Sequence, residues 1–449
     1  MSDRTQPRAA ALLPLLLFLA IFLGSGIYYT LIGTEFAFYQ IKAPVAILPA
    51  IVLALLIARD SLNRSLDAFI SGVGNSNIIT MVLVFLLAGA FATVTRAIGG
   101  VDATVNLGLR VIPPALVLPG LFVIGAFVAT AMGTSMGTIG ALAPVALGFA
   151  EATGLSIPMT MGAVIGGAMA GDNLSIISDT TIASTRTQGV AMRDKFKLNL
   201  MIALPAAVLT VGLLFILGDS ATEPAISAYD PVLVLPYLAV LVMAITGLNV
   251  FVVLMAGIVL SGLTGLMLTE AYSVETWGND VYRGFEGMLE IMILSMFIGG
   301  LSAIMKREGG LAWLRQRIQQ AVARVGQAGR RSGEAALAGL VSVANLFVAN
   351  NTVAIIISGS VARDLADHYQ VDRRRSASLL DIFSCVIQGL IPYGAQILLA
   401  GSIAGVSPLV LVGQVHYCWL LGLVAIVSIV IGFPTPKGAV MPEEAERGV

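Results

Sequence analysis

The chain has 449 residues, of which 57% are hydrophobic and 11% charged, far from the roughly 25% charge of a soluble globular protein. A net charge of −1 offers nothing to nucleic acid, and two cysteines, Cys385 and Cys418, make neither a disulfide framework nor a metal-ligand spacing. What remains is an all-α polytopic membrane protein, since a β-barrel would show short alternating segments. No zinc, haem or phosphate-loop motif is present, so no cofactor is expected beyond coupling or transported ions.

Runs long enough for a spanning helix of about 20 residues lie at 12–32, 78–94, 196–217, 233–268, 288–305 and 409–433. Arg4 and Arg8 precede the first run, but no Ala-x-Ala site ends a short apolar core, so it reads as a retained first helix. Glu35 and Lys42 flank a short polar break and are expected to pair at the interface. Arg193, Lys195 and Lys197 form one basic group and Arg363 with Arg373–Arg375 another. The stretch 306–331 reads as a solvated amphipathic helix along the cytoplasmic surface. Asp219, Glu223 and Asp230 carry no neighbouring base, which places that loop outside. Glu286 and Glu290 read as helix-start carboxylates favoured by the macrodipole, and His416 as interfacial.

Four polar interruptions break the apolar pattern, two in each half. The first is Gly133-Thr134-Ser135 and its hydroxyl-rich surroundings. The second is Gly171-Asp172-Asn173-Leu174-Ser175-Ile176-Ile177-Ser178-Asp179-Thr180-Thr181. The third holds Asn345 and Asn350-Asn351-Thr352, and the fourth runs from Gln388 to Gln396 through Pro392 and Gly394. Aligning Ser135 with Thr352 gives a spacing of 217 between the halves. Repeats with interrupted segments at matching positions are a mark of secondary transporters. An odd number of crossings between the halves, near 233–268, would make the repeats inverted.

An intramembrane Asp costs about 2.5–3.5 kcal/mol to insert and commonly marks an ion or substrate path. Carboxylate, hydroxyl and amide oxygens suit hard cations. Asp172 and Asp179 would share a face of an unbroken helix, roughly 10 Å apart, and a break between them changes that. Ser175, Ser178 and Thr180 could equally serve helix packing. Asp381 has no acidic counterpart in the first half; it is a proton carrier, the partner of a basic group, or a helix-end residue. Gln388 and Gln396 are a further second-half contribution.

The run from Gly171 to Thr181 resembles the signature of the NhaC family of sodium/proton antiporters, within the ion transporter superfamily, with Ile176 where that family commonly has proline. Gly133–Ser135 also looks like that family's first hairpin tip. The resemblance implies two inverted repeats, each with a re-entrant hairpin and a broken helix, and a homodimer with a scaffold and a mobile transport domain. The implied division is scaffold helices in 1–60, a first repeat in 61–220 (hairpin near 130–150, broken helix 158–190), linking helices in 221–275, a second repeat in 276–436 (hairpin near 333–365, broken helix 376–404) and a tail, 437–449. By the same carry-over Asp172, Asn173, Ser175, Ser178, Asp179 and Thr180 form or support a sodium site through Asp172 and Asp179. Gly133, Thr134, Ser135, Asn350, Asn351 and Thr352 form the opposing tips.

The leading expectation is a cation-coupled secondary transporter of the cytoplasmic (inner) membrane, surrounded by lipid, exchanging sodium for protons by an elevator motion. The alternative is a sodium-coupled carrier or exchanger of a small organic solute, an amino acid or carboxylate. No nucleophile–base set supports an enzyme, and no ring of pore charges a channel.

Overall fold

The computed structural model describes residues 6–34, 40–218, 228–324 and 329–435, and the regular structure among them is all helical. The N-terminal group is α1 (Leu13–Leu31), α2 (Ala43–Ala46), α3 (Leu48–Ile57) and α4 (Leu62–Val73). Then follow α5 (Ser76–Ala97), α6 (Gly100–Val111), α7 (Val117–Met132), α8 (Ser135–Thr153), α9 (Ile157–Leu174), α10 (Asp179–Gln188) and α11 (Met192–Leu217). Three helices come next: α12 (Leu235–Ile245), α13 (Val250–Leu268) and α14 (Val274–Gly287). The remainder is α15 (Leu289–Arg307), α16 (Gly310–Arg324), α17 (Arg330–Val348), α18 (Asn351–His368), α19 (Arg373–Gln388), α20 (Ala395–Ala404), α21 (Pro408–Gln414) and α22 (His416–Ile431). Among the described residues seven helices are long and apolar enough to cross a membrane, or eight if the bent pair α20–α21 counts as one span. The protein is a multi-pass membrane protein.

Several sequence expectations are corrected. The run 233–268 is two helices, because Thr246–Asn249 turns the chain and the Asn249 side chain caps α13 by accepting from Phe251 N at 2.9 Å. The run 409–433 divides at Val415 between α21 and α22. The basic stretch is not one helix: Lys306 and Arg307 end α15, Arg317 lies on α16, and Arg330 opens α17. Glu290 does start α15, but Glu286 sits in the last turn of α14, against the dipole. Glu35 lies outside the described residues, and Lys42 approaches Glu290 at 3.6 Å. Asp219, Glu223 and the tail 437–449 also lie outside them, while Asp230 caps a short 3-10 turn by accepting from Val232 N at 2.9 Å.

The interrupted elements recur in order. Helices start at Ser135, Ile157, Asp179 and Met192, and again at Asn351, Arg373, Ala395 and Pro408, each pair 216 residues apart. Local geometry recurs with them. Gly133 (φ 69) and Ala349 (φ 52) both close a helix in the left-handed region, and Thr134 and Asn350 follow with φ −148 and −147. The spacing is therefore 216, not 217. Hydroxyl matching between Ser135 and Thr352 is one residue out; the caps put Ser135 against Asn351, Asp172 against Gln388 and Thr180 against Gln396.

Helix α9 carries the first break, and small residues let it seat deeply. A Cβ at Gly167 or Gly171 would collide with the backbone carbonyls of Phe122 and Ala126 on α7. Met161, Val164, Ile165, Ala168 and Met169 are fully buried around it. Interiors packed at this density transmit small shifts of one helix to its neighbours.

Candidate functional site

Each half contributes one hairpin tip and one break, and the four meet at a cavity of about 100 Å³. Its lining includes Gly133, Thr134 and Ser135 from the first tip and Asp172, Asp179 and Thr180 from the first break. Asn350, Asn351 and Thr352 come from the second tip, and Gln388 and Gln396 from the second break. Of the residues read from the sequence, Asn173, Ser175, Ser178 and Asp381 do not line it.

Ser175 and Ser178 hold the break open rather than face the cavity. Ser175 Oγ donates to Thr130 O at 2.9 Å, satisfying a carbonyl near the end of α7. Ser178 is the N-cap of α10, its Oγ accepting from Thr181 N at 3.3 Å. Thr181 Oγ1 closes the loop by donating to Ser175 O at 2.6 Å. Ile176 and Ile177, between them, are exposed.

Asp172 is 6% exposed, in the last turn of α9. Ser135 Oγ donates to its Oδ2 at 3.1 Å, and among the described residues no ion pair reaches it. Asp179, in the first turn of α10, is exposed and lines the same cavity. A hydrogen-bond chain then crosses to the second half. Gln396 Nε2 donates to Ser135 Oγ at 3.0 Å, and Gln388 Nε2 donates to Gln396 Oε1 at 2.9 Å and to Ala349 O at 3.3 Å.

In the second tip the backbone supplies partners for the two adjacent amides. Asn350 Oδ1 caps α18 by accepting from Val353 N at 2.9 Å, and Asn351 Oδ1 accepts from Thr352 N at 3.0 Å. Both carboxamide oxygens are engaged by backbone. Asn345 lies a turn deeper, its Nδ2 donating to Ser384 O at 2.8 Å.

Asn173 and Asp381 belong to a separate buried cluster. Lys195 Nζ pairs with Asp381 Oδ2 at 2.6 Å, both side chains at most 1% exposed. Asn199 Nδ2 and Asn173 Nδ2 donate to the same oxygen at 2.6 and 3.1 Å. Lys195 also donates to Asn173 O at 3.1 Å, at the C-terminus of α9, and to Thr181 Oγ1 at 2.7 Å, in the first turn of α10. Asp381 is thus the partner of a basic group. Each of the two smaller basic groups thus has a buried member: Lys195, and Arg375, which is fully buried against Glu334 at 3.0 Å.

Sequence reasoning missed Lys195 and Asn199, and also Asn77, Thr80 and Met81 of α5, which line the cavity. The one available signal was the spacing of four between Lys195 and Asn199, which puts both on one face of a helix. Asn77, near a helix start, is indistinguishable from a capping residue in sequence.

The sequence matches the Na+/H+ antiporter family over residues 8–218 and 225–433. The chain belongs to this family. Among curated relatives of this antiporter-family chain, the Na+/H+ antiporter NhaC of Bacillus subtilis is 24% identical, over 80% of this chain and 84% of its own. The malate-2H+/Na+-lactate antiporter of the same organism is 22% identical, over 82% and 83%. The arginine/ornithine antiporter ArcD of Halobacterium salinarum is 24% identical, over 90% and 89%. The YdaH transporter of Alcanivorax borkumensis, whose crystal structure reveals an unusual topology, aligns over 96% of this chain and 99% of its own, with 13% identity and a TM-score of 0.45. Family membership and the apolar helices place this antiporter-family protein in the cytoplasmic membrane as a multi-pass protein.

Proposed function

We propose that this protein exchanges sodium for protons, with Asp172 as the group that holds one or the other. The observation that supports this is the contrast between two buried carboxylates. Asp381 has its own ammonium at 2.6 Å, whereas Asp172 faces the cavity with a single neutral donor. A buried carboxylate without a counter-charge calls for a cation or a proton, and those are the two ions to be exchanged. Asp179, exposed on the same cavity, draws the cation in.

Size supports an ion. A cavity of about 100 Å³ has room for an ion together with water. Organic ligands occupy pockets of roughly 300–1,000 Å³. In this reading the two sets of recurring elements are inverted repeats forming a mobile transport domain, which moves as an elevator against a scaffold built from 1–60 and the linking helices, in a homodimer. The spacing of 216 between paired helix starts supports the repeat.

The test is proton flux driven by a sodium gradient in proteoliposomes without organic solute. Flux is expected in the wild type and not in Asp172→Asn, falling toward acid pH as protons displace sodium. Flux unchanged in Asp172→Asn, or flat from acid to alkaline pH, overturns the proposal.

A second reading is favoured by one feature. A chamber of about 530 Å³, lined by Asp67, Ser71, Asn75, Ser302 and Lys306 among others, adjoins the cavity through Asn77 and Asn350, which line both. That volume suits a small amino acid or carboxylate, the solute classes named for two of the relatives. Flux that appears only when malate, lactate, arginine or ornithine is present would select this reading.

A further inference from the structure

Gln388 is 2% exposed, ends α19 and lines the cavity that Asp172 lines. Its Nε2 donates to Ala349 O and to Gln396 Oε1. Both partners are acceptors, so turning the amide over would set its oxygen against two others. Gln396 is held the same way round, since its Nε2 serves Ser135 Oγ, whose hydroxyl serves Asp172. The orientation of Gln388 is therefore dictated from both ends. Its Oε1 is buried and accepts no hydrogen bond from the described residues. Buried acceptors without a donor are uncommon in native proteins and ask for an occupant.

Position adds a second, independent argument. At the spacing of 216 that relates four pairs of helix starts, Gln388 is the counterpart of Asp172. The two halves thus present a carboxylate and a carboxamide at equivalent places on one cavity of about 100 Å³. Both offer hard oxygen, the donor type that alkali and alkaline-earth cations prefer.

We propose that Gln388 Oε1 is a neutral ligand to the cation held at Asp172, and that the pairing of one carboxylate with one carboxamide makes the site selective for monovalent ions. This rests on the reading of Asp172 as the cation-holding group. Of the two carboxylates on the cavity only Asp172 is buried, Asp179 being exposed, so one buried negative charge faces one sodium ion. A carboxylate in place of Gln388 would put two buried carboxylates at the equivalent positions, in addition to the exposed Asp179, and that added charge and oxygen suit a calcium ion.

The experiment uses the full-length protein in detergent, with thermal unfolding followed in sodium, lithium, calcium or choline chloride at constant ionic strength. A ligand that binds the folded state raises its stability by RT ln(1 + [L]/Kd). Sodium is expected to stabilise the wild type over choline, with no added effect of calcium. Gln388→Ala should weaken apparent sodium affinity about tenfold, the value of one lost charge-assisted contact. Gln388→Glu should gain a calcium-dependent stabilisation that the wild type lacks, a change no loss of packing would produce. Wild-type sodium affinity in Gln388→Ala, with sodium stabilisation lost in Asp172→Asn, overturns the Gln388 ligand and leaves the Asp172 reading standing. Full sodium stabilisation in Asp172→Asn overturns that reading itself. Should Gln388→Ala fail to fold, a folded Gln388→Glu without a calcium response overturns the proposal alone.

Discussion

Replacing Lys195 by Met, which is close in volume and carries no charge, tests how the first break is held. The ammonium serves three acceptors on three helices: Asp381 Oδ2 at 2.6 Å on α19, Thr181 Oγ1 at 2.7 Å on α10 and Asn173 O at 3.1 Å at the end of α9. Its removal leaves Asp381, 0% exposed, with only the amides of Asn173 and Asn199. Breaking a buried pair from one side costs about 3–5 kcal/mol, because the remaining charge is uncompensated. Asp381→Asn breaks it from the other side at similar cost. The double variant Lys195→Met with Asp381→Asn removes both charges and keeps an acceptor for the two amides. It should cost less than either single variant, which requires a coupling energy larger than one single loss, above about 3–5 kcal/mol. Thermal and denaturant unfolding of the four purified proteins closes the cycle. Additive single-variant losses, or a Lys195→Met protein as stable as wild type, would refute the argument. The recovered double variant should still bind sodium less tightly than wild type, since Thr181 and the α9 terminus have lost their donor.

Gly171→Ala should lose stability by about 1–3 kcal/mol, the usual cost of overpacking, and lose transport with it. The added Cβ meets the Ala126 carbonyl and Ala129 Cβ on α7, and relief moves α9 beside Asp172; unfolding and sodium-driven flux read the two effects. Glu334→Ala leaves Arg375 without its buried carboxylate, with Ser428 Oγ at 2.8 Å as its nearest remaining partner, and should cost about 3–5 kcal/mol in the same unfolding assay. Asp60, in the turn between α3 and α4, is held below the ordinary carboxylate range by hydrogen bonds from Arg307 and Arg64. A lowered folded-state value means its stabilisation is complete above the ordinary value of 3.8 and is lost as pH falls through the lowered one. The gap in melting temperature between wild type and Asp60→Asn should hold steady at neutral pH and close in acid, and high salt should shrink it throughout.

The residues that were legible in sequence are those whose presence is an energetic anomaly where they stand. Asp172 and Asp179 interrupt an apolar run, and the tips Gly133–Ser135 and Asn350–Thr352 interrupt others; the structure gathers all of them on one cavity. What stayed hidden depends on partners far along the chain. Asn173 reads as a member of the Asp172 motif, but its amide serves Asp381, 208 residues away, and Asn199 reaches the same oxygen from 182 residues away. No local spacing connects such pairs. Lys195 was hidden for a different reason. A lysine just before an apolar helix normally reaches back to the membrane surface, and only the buried carboxylate opposite it reverses that preference. The roles of Ser175 and Ser178 were obscured because hydroxyls that cap a helix and hydroxyls that bind a cation look alike in sequence.

The arrangement of charge around the break follows one logic. Bringing two carboxylates into an apolar interior is costly unless each is neutralised, and this chain neutralises them differently. Asp381 receives a permanent counter-ion from Lys195 together with two amide donors, and that cluster ties α9, α10, α11 and α19 into one unit. Asp172, nearby in the same unit, receives one hydroxyl and an opening. Had Lys195 been placed against Asp172, the site would already be neutral, and a sodium ion would have to displace a covalently tethered ammonium. Spending the lysine on Asp381 keeps the break rigid while leaving the negative charge of Asp172 to be balanced from outside. A rigid break with an unbalanced charge makes binding of an external cation the cheapest way to neutralise it. That is why Lys195→Met with Asp381→Asn, a protein with restored stability and an intact Asp172, is the variant that separates positioning from charge.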